Sequence, residues 1–288
     1  MELAWKRWNS RILTTSNLKA SEDSTADAQR VTFLHGLGGT GALWRPIAAD
    51  LENDFDVLAL DQRGHGKSLA IPATEPGFTP ADFGHDVDQT LRALEFYPTW
   101  LVGHSMGVRT ACATAQLNPA GVRGLILVDL GLSKDSARIV SENLLEFIDE
   151  LPAVFPTRRE ARAFLLAKCK DPSIAQYLIA VSQVGAEGSV SFPFDHEALV
   201  KTIHAARDFS AFDAVWGLGA SGMPILLLRG AQSLVWEKAE YEREKAQFGE
   251  SGAHASVVFE EIEGAGHGLP FEKRREFVER VKRFLEAL

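Results

Sequence analysis

Short apolar runs recur along the chain and are bounded by glycine, proline or polar residues. They are RVTFLHG at 30–36, FDVLALD at 55–61, TWLVGHS at 99–105, GLILVDL at 124–130, MPILLLRG at 223–230 and SVVFEEIEG at 256–264. Because their apolar positions are nearly continuous rather than alternating, the runs predict strands buried on both faces, as in a parallel sheet.

The segments between these runs carry a helical period. In DFGHDVDQTLRALEF at 82–96, the residues Phe83, Val87, Leu91 and Leu94 fall on one face, and MGVRTACATAQLN at 106–118 is rich in alanine. The last segment, PFEKRREFVERVKRFLEAL, has an apolar stripe formed by Phe271, Phe277, Val278, Val281, Phe284 and Leu285. Strands that alternate with helices predict an α/β fold with a doubly wound, mostly parallel sheet.

The alternation stops between residues 132 and 217. Here helical periods follow one another with no strand between them, and prolines at 152, 156, 172 and 193 separate them. Such an insertion between two core strands predicts an α-helical cap over the carboxyl edge of the sheet. We therefore expect a core of residues 1–131 and 218–288 and a helical cap of residues 132–217.

Composition narrows the class of protein and its partners. The chain has 288 residues, which suits one large domain or one core domain with an insertion. Its formal net charge of -9 makes nucleic acid a poor partner. Cys112 and Cys169 have no CxxC spacing and are expected to be reduced thiols. No apolar run reaches the roughly 18 residues of a membrane span, and the start lacks the apolar region of a signal peptide. These features predict a cytoplasmic protein with no membrane partner, and they leave the oligomeric state open.

The stretch VGHSMG at 102–107 follows an apolar run and opens a helical one. Gly103, Ser105 and Gly107 match the pattern G-x-S-x-G, in which a tight strand-to-helix turn presents the serine hydroxyl at the sheet edge. Glycine is needed on both sides because a side chain there would clash. The helix that begins behind the serine favours developing negative charge, so Ser105 is the candidate nucleophile.

Four motifs, taken in their order along the chain, resemble segments of one protein family. FLHGLGGTGALW at 33–44, LDQRGHGKS at 60–68, GHSMG at 103–107 and GAGHGLPFE at 264–272 resemble segments of the α/β-hydrolases, in the branch of capped serine esterases and lipases. The resemblance covers nearly the whole chain. It implies an oxyanion hole formed by the backbone N–H groups of Met106 and Leu37, and a catalytic histidine at His267, between the last strand and the last helix.

The usual acid of such a triad is missing from its expected place. In most of this family it follows the strand before the histidine strand, and here that loop offers Gln232, Ser233 and Leu234. The favoured explanation is that Asp129, at the end of GLILVDL, supplies the carboxylate and Ser233 supports it with a hydrogen bond. Two alternatives stay open: a degenerate triad in a weak enzyme or non-catalytic binder, or a distant acid such as Glu237 or Asp213.

A serine nucleophile favours acyl transfer through an acyl-enzyme intermediate. The preferred function is hydrolysis of small to medium carboxylic esters, with a small-molecule ester as the partner. A lactonase, a C–C bond hydrolase, a cofactor-free haloperoxidase and a weakly catalytic ligand-binding receptor remain alternatives. No HExxH pair is present, so no metal is expected. No cofactor is expected either, because this chemistry needs none and the sequence has no pterin, flavin or haem motif. Candidate pocket residues are Trp44, Met106, Phe155, Trp216 and Trp236.

Overall fold

A central sheet organises the computed structural model, which describes residues 2–9, 29–69, 77–134, 144–169, 171–250, 252 and 254–287. Its strands are β1 (Ala4–Trp8), β2 (Arg30–Leu34), β3 (Asp56–Asp61), β4 (Thr99–His104), β5 (Val122–Val128), β9 (Ile225–Gly230) and β10 (Val257–Ile262). They lie in the order β1-β3-β2-β4-β5-β9-β10. All the apolar runs predicted as strands are strands, which confirms that part of the prediction.

Only the edge strand β1 runs antiparallel within this sheet as described; β2, β3, β4, β5, β9 and β10 pair in parallel. Parallel strands deliver their carboxyl ends to one edge of the sheet. The residues that follow β2, β4, β5, β9 and β10 therefore meet there, although they are far apart in the sequence.

Helices cover both faces of the sheet. The described helices are α1 (Arg45–Leu51), α2 (Pro80–Ala93), α3 (Met106–Leu117), α4 (144–150), α5 (Arg158–Lys168), α6 (Pro172–Val181), α7 (His196–Ala206), α8 (Ala211–Ala220), α9 (Lys238–Glu250), α10 (Leu269–Glu272) and α11 (Arg274–Glu286). Apolar residues of α2, α3, α8 and α9 form one core with the sheet, and those of α1 and α11 form another. The doubly wound fold is confirmed.

The segment between β5 and β9 contains short strands that the sequence pattern did not predict. It is mostly helical, but β6 (Val154–Phe155), β7 (Gln183–Val184) and β8 (Val190–Ser191) form a small antiparallel sheet in the order β6-β8-β7. Strands of two residues are too short to show a period, which is why the sequence pattern missed them. The expected boundary at residue 217 falls inside α8, which packs on α3 of the core.

The division into core and cap itself stays a prediction, and residues 135–143 of the expected cap lie outside the described ones. The helices of this segment share their own apolar cluster, which includes Ile148, Leu165, Leu178 and Leu199. Within the described ranges, no helix is long and apolar enough to cross a membrane.

Candidate active site

Ser105 lies in a strained turn between β4 and α3. Its backbone angles are φ 54 and ψ -118, a region that a residue with a side chain enters only at a cost. A Cβ on Gly103 would lie 2.2 Å from the carbonyl oxygen of Gly107, and a Cβ on Gly107 would lie 2.4 Å from that of Leu34. Both flanking glycines are therefore required for a turn this tight.

His267 connects the serine to a carboxylate. Its Nε2 lies 3.2 Å from Ser105 Oγ, and its Nδ1 lies 2.8 Å from Asp129 Oδ2. Nε2 of His104 donates to the backbone oxygen of His267 at 2.8 Å and so holds the loop after β10 in place. The residues expected to form a triad from three separate strands are thus joined by hydrogen bonds.

Asp129 is fully buried at the end of β5 and is surrounded by donors. Its Oδ1 accepts from the backbone N–H of Gly230 at 2.8 Å, and its Oδ2 accepts from Ser233 Oγ at 2.5 Å as well as from His267. These bonds satisfy a buried charge and fix its orientation. The alternative acids lie elsewhere: Glu237 is exposed before α9, and Asp213 lies in the first turn of α8.

The loop after β9 is held by a buried arginine that the sequence analysis did not single out. Arg229, 2 % exposed, donates to the backbone oxygens of Trp236 at 2.6 Å and Ser233 at 3.3 Å, and it pairs with Glu261 at 2.6 Å. Arg229 therefore sets the path of the loop that carries Ser233. In the sequence, Arg229 is a single cation in an otherwise apolar strand, and this position could have indicated a buried structural role.

Two buried histidines shape the loop after β2. His35 Nε2 accepts from the N–H of Gln62 at 3.0 Å, and His65 Nε2 accepts from the N–H of Gly38 at 3.0 Å. Their Nδ1 atoms lie 2.8 Å from the Gly36 oxygen and 2.9 Å from the Arg63 oxygen. Each ring thus carries its proton on Nδ1 and joins this loop to the turn after β3.

Burial keeps these rings neutral. Desolvation lowers the pKa of His35 to about 4, that of His65 to about 3 and that of His104 to about 3; His267 adds to the lowering at His104. The imidazole rings of His35, His65 and His104 are therefore uncharged at neutral pH, and they hold the loops around Ser105 through hydrogen bonds.

The two expected oxyanion donors flank the serine. Leu37 directly follows His35 and Gly36 in the loop after β2, and both Leu37 and Ser105 line the same cavities. Met106 is the first residue of α3, where backbone N–H groups have no partner within the helix. No hydrogen bond joins the N–H of Leu37 or Met106 to another described residue, so both are available to a ligand.

A cavity of about 360 Å³ opens above Ser105 and His267. Its apolar wall comes mainly from the segment between β5 and β9 and includes Leu144, Phe147, Ile148, Leu151, Leu178 and Leu199. Tyr177 of α6 also lines it and donates its hydroxyl to the Gly36 oxygen at 3.1 Å. Burial raises the pKa of Tyr177, so the hydroxyl stays a donor.

The predicted lining residues Trp44, Phe155, Trp216 and Trp236 do not border this cavity, so that prediction was wrong. Trp44 packs on Phe33 and Phe271 beneath the sheet. Phe155 packs on Phe164 and Phe192 inside the apolar cluster of the segment between β5 and β9. Trp216 stacks on Phe212, and Trp236 donates its Nε1 to Glu244. Met106, by contrast, lines a smaller cavity beside Ser105.

Comparison with known proteins decides the family. A model of the alpha/beta hydrolase fold matches residues 29–273. The chain belongs to this family. It is 29% identical over 265 residues to the sn-1-specific diacylglycerol lipase ABHD11 of Xenopus laevis, covering 89% of this chain and 80% of that protein. It is 34% identical to the 2-(acetamidomethylene)succinate hydrolase of Mesorhizobium japonicum, over 34% of each chain.

Among solved structures, an esterase from a marine microorganism superposes with a TM-score of 0.73 at 20% identity, covering 99% of each chain. At that identity the likeness shows the fold alone. The family match by itself makes the chain a member of an enzymatic hydrolase family.

Proposed function

We propose that the protein is a serine hydrolase that cleaves carboxylic esters of small to medium acyl chain through an acyl-enzyme intermediate. The observation that carries the proposal is the hydrogen-bonded chain from Ser105 Oγ through His267 to Asp129 Oδ2. Such a chain activates a hydroxyl that is otherwise a weak nucleophile.

In the first half of the proposed reaction, Ser105 Oγ attacks the ester carbonyl while His267 Nε2 accepts its proton. Asp129 stabilises the imidazolium through Nδ1–H and keeps the ring in the required tautomer. The negative oxygen of the tetrahedral intermediate accepts from the N–H groups of Met106 and Leu37. Because hydrogen bonds of His35 and His65 fix the loop that carries Leu37, its N–H needs little reorganisation when charge develops.

The intermediate then collapses. The bond to the alcohol oxygen breaks, and His267 Nε2–H gives its proton to that oxygen as the alcohol leaves. A water molecule, deprotonated by His267, attacks the acyl-enzyme, and Ser105 leaves with the proton. Both halves use the same groups in opposite protonation states, which requires that His267 reach both Ser105 and the leaving oxygen.

Carboxylic esters are favoured over other substrates by two observations. The cavity above Ser105 has an apolar wall that suits an alkyl or acyl chain. A relative that matches across most of the chain is named a lipase. Lactone and C–C bond hydrolysis use the same steps and are separated from ester hydrolysis by substrate screening.

The test is hydrolysis of 4-nitrophenyl acetate and 4-nitrophenyl butyrate by the native protein and by Ser105→Ala. We expect saturable release of nitrophenol by the native protein and loss of at least about 10³-fold in kcat in the variant. A native rate equal to that of Ser105→Ala, alongside tight binding of a small molecule, would instead support a ligand-binding receptor.

A further inference from the structure

A smaller cavity of about 60 Å³ adjoins the large one at the nucleophile. The two cavities share Leu37, Ser105 and Leu144, and the smaller one continues between α2, α3 and α7. A substrate attacked by Ser105 can therefore place a different group in each cavity. The small cavity admits only a short group, because a single water needs roughly 10 to 15 Å³ on a comparable measure.

Arg109 lines the small cavity and is itself only 7 % exposed. It follows Ser105 by four residues, at the start of α3. Arg109 and Ser105 line the same cavity. Helical side chains tilt toward the helix N-terminus, where Ser105 lies.

The Arg109 guanidinium is incompletely partnered within the described part of the chain. Its Nε is buried without a hydrogen-bond partner, and no ion pair joins Arg109 to another residue that the structure describes. Apart from burial, which lowers the pKa of Arg109, Cys112 and Glu240 act on its charge, and both raise that pKa. Burial raises the pKa of the Cys112 thiol to about 12, so the thiol is neutral. Glu240 accepts the hydroxyl of Ser133 at 2.5 Å.

A buried cation without a partner is unfavourable and rare in proteins. Burial lowers the pKa of Arg109 to about 10, which still leaves it charged at neutral pH. The described lining of the small cavity contains no carboxylate and is otherwise formed by apolar groups and hydroxyls. A purely structural arginine would be expected to have a carboxylate or carbonyl partner, so the missing partner points to an anionic ligand.

We propose that Arg109 binds a free carboxylate of the substrate in the small cavity. The planar guanidinium suits a carboxylate because it can donate two parallel hydrogen bonds. This inference rests on the proposed ester hydrolysis and names its substrates: carboxylic esters that carry a second, ionised carboxylate a few bonds from the scissile carbonyl. The remaining, apolar arm of the ester lies in the cavity of about 360 Å³.

The second carboxylate can belong to the acyl part or to the alcohol part, and two pairs of esters distinguish these sources. Monobutyl succinate is compared with butyl 4-methylpentanoate, and the hexanoyl ester of glycolate with isobutyl hexanoate. In each pair, two methyl groups replace the two carboxylate oxygens, so shape is retained and charge is removed. The readout is the ratio of kcat/KM for the anionic ester to that for its neutral counterpart.

We expect the native protein to favour the anionic ester of one pair. Arg109→Met should lower that ratio about tenfold or more, as expected for the loss of a charge-assisted hydrogen bond. Arg123→Met, which removes a positive charge from an exposed position on β5, should leave the ratio within about twofold. The subsite is overturned if Arg109→Met leaves the ratio unchanged in both pairs. It is also overturned if kcat/KM falls equally for the anionic and the neutral ester of a pair.

Failure of the subsite differs from failure of the proposed function. Hydrolysis of the neutral esters with no preference for charge leaves ester hydrolysis standing and removes the subsite. If the native protein cleaves none of these esters faster than Ser105→Ala, ester hydrolysis fails, and calorimetric binding of succinate tests the subsite alone. Binding that is weakened at least about tenfold by Arg109→Met supports it, and equal or absent binding in both proteins overturns it.

Discussion

Asp129→Asn tests whether the carboxylate at the end of β5 serves as the acid of the triad. Asparagine has the same shape and keeps one acceptor oxygen, which can retain the bond from the Gly230 N–H, now 2.8 Å long. Its amide nitrogen then replaces Oδ2, which accepts from His267 Nδ1 at 2.8 Å and from Ser233 Oγ at 2.5 Å. The amide is a donor at that position, and it cannot accept the Nδ1 proton.

The histidine responds by carrying its proton on Nε2, so that Nδ1 accepts from the amide. Nε2 lies 3.2 Å from Ser105 Oγ and, once protonated, can no longer take the hydroxyl proton. When the acid of a serine triad becomes an amide with this consequence, kcat falls by about 10⁴, which corresponds to roughly 5.5 kcal/mol. We expect this fall for 4-nitrophenyl butyrate, with KM within about threefold because the binding walls are unchanged.

Stopped or continuous nitrophenol assays give kcat and KM, and thermal unfolding checks the fold. The amide keeps the size of the carboxylate and its bond to Gly230. The free energy of unfolding should therefore fall by about 1 kcal/mol, which corresponds to a melting temperature lower by only a few degrees. Asp208→Asn is the matched control, since it removes an exposed carboxylate of the same type. A folded Asp129→Asn protein that keeps more than about a tenth of native kcat would refute the tautomer argument.

The other expectations concern groups that support the site. Ser233→Ala should lower kcat about 10- to 100-fold, because one charge-assisted bond is worth about 1.5–3 kcal/mol. The half-buried control Ser189→Ala should leave kcat unchanged, and equal kcat values for Ser233→Ala and the native protein would contradict the supporting role of Ser233. Tyr177→Phe removes a hydroxyl that donates to the Gly36 oxygen, so kcat/KM should fall at most about tenfold. A larger fall would show that the loss of this hydrogen bond does not explain the effect. Burial raises the pKa of Glu244 to about 8, so its contribution to the free energy of unfolding is full below its ordinary pKa near 4.5 and is lost as pH rises through about 8. The melting temperature of the native protein relative to Glu244→Gln should therefore decline from about pH 5 to about pH 9, and a constant difference would contradict the shift.

Much of the fold follows from local patterns. Strands buried on both faces must be apolar throughout, so β2, β3, β4, β5, β9 and β10 are visible as runs in the sequence. Ser105 is equally visible, because a turn with φ 54 at the serine requires glycine at Gly103 and Gly107. These features depend on neighbours in the chain and are therefore legible without tertiary structure.

The errors concern features that depend on which way a side chain faces. Trp44 and Trp236 are of a residue type that is common in pocket walls, but both are fully buried in the cores on the two sides of the sheet. Nothing in a period distinguishes a tryptophan that faces a core from one that faces a cavity. The small sheet between β5 and β9 was missed for a related reason, because strands of two residues depend on pairing across the segment.

The position of the carboxylate follows from the order of the strands. β5 and β9 are parallel neighbours, with Val128 opposite Leu228, so the residues after both strands meet at the same point of the sheet edge. A carboxylate that follows either strand can therefore reach the histidine after β10. In this chain Asp129 takes that place, and the Ser233 hydroxyl lies 2.5 Å from its Oδ2. A second carboxylate at Ser233 would put two like charges in contact in a buried site, where one of them would have to be protonated. A hydroxyl rather than a carboxylate at position 233 avoids this conflict, and the serine supplies a donor to Asp129 Oδ2.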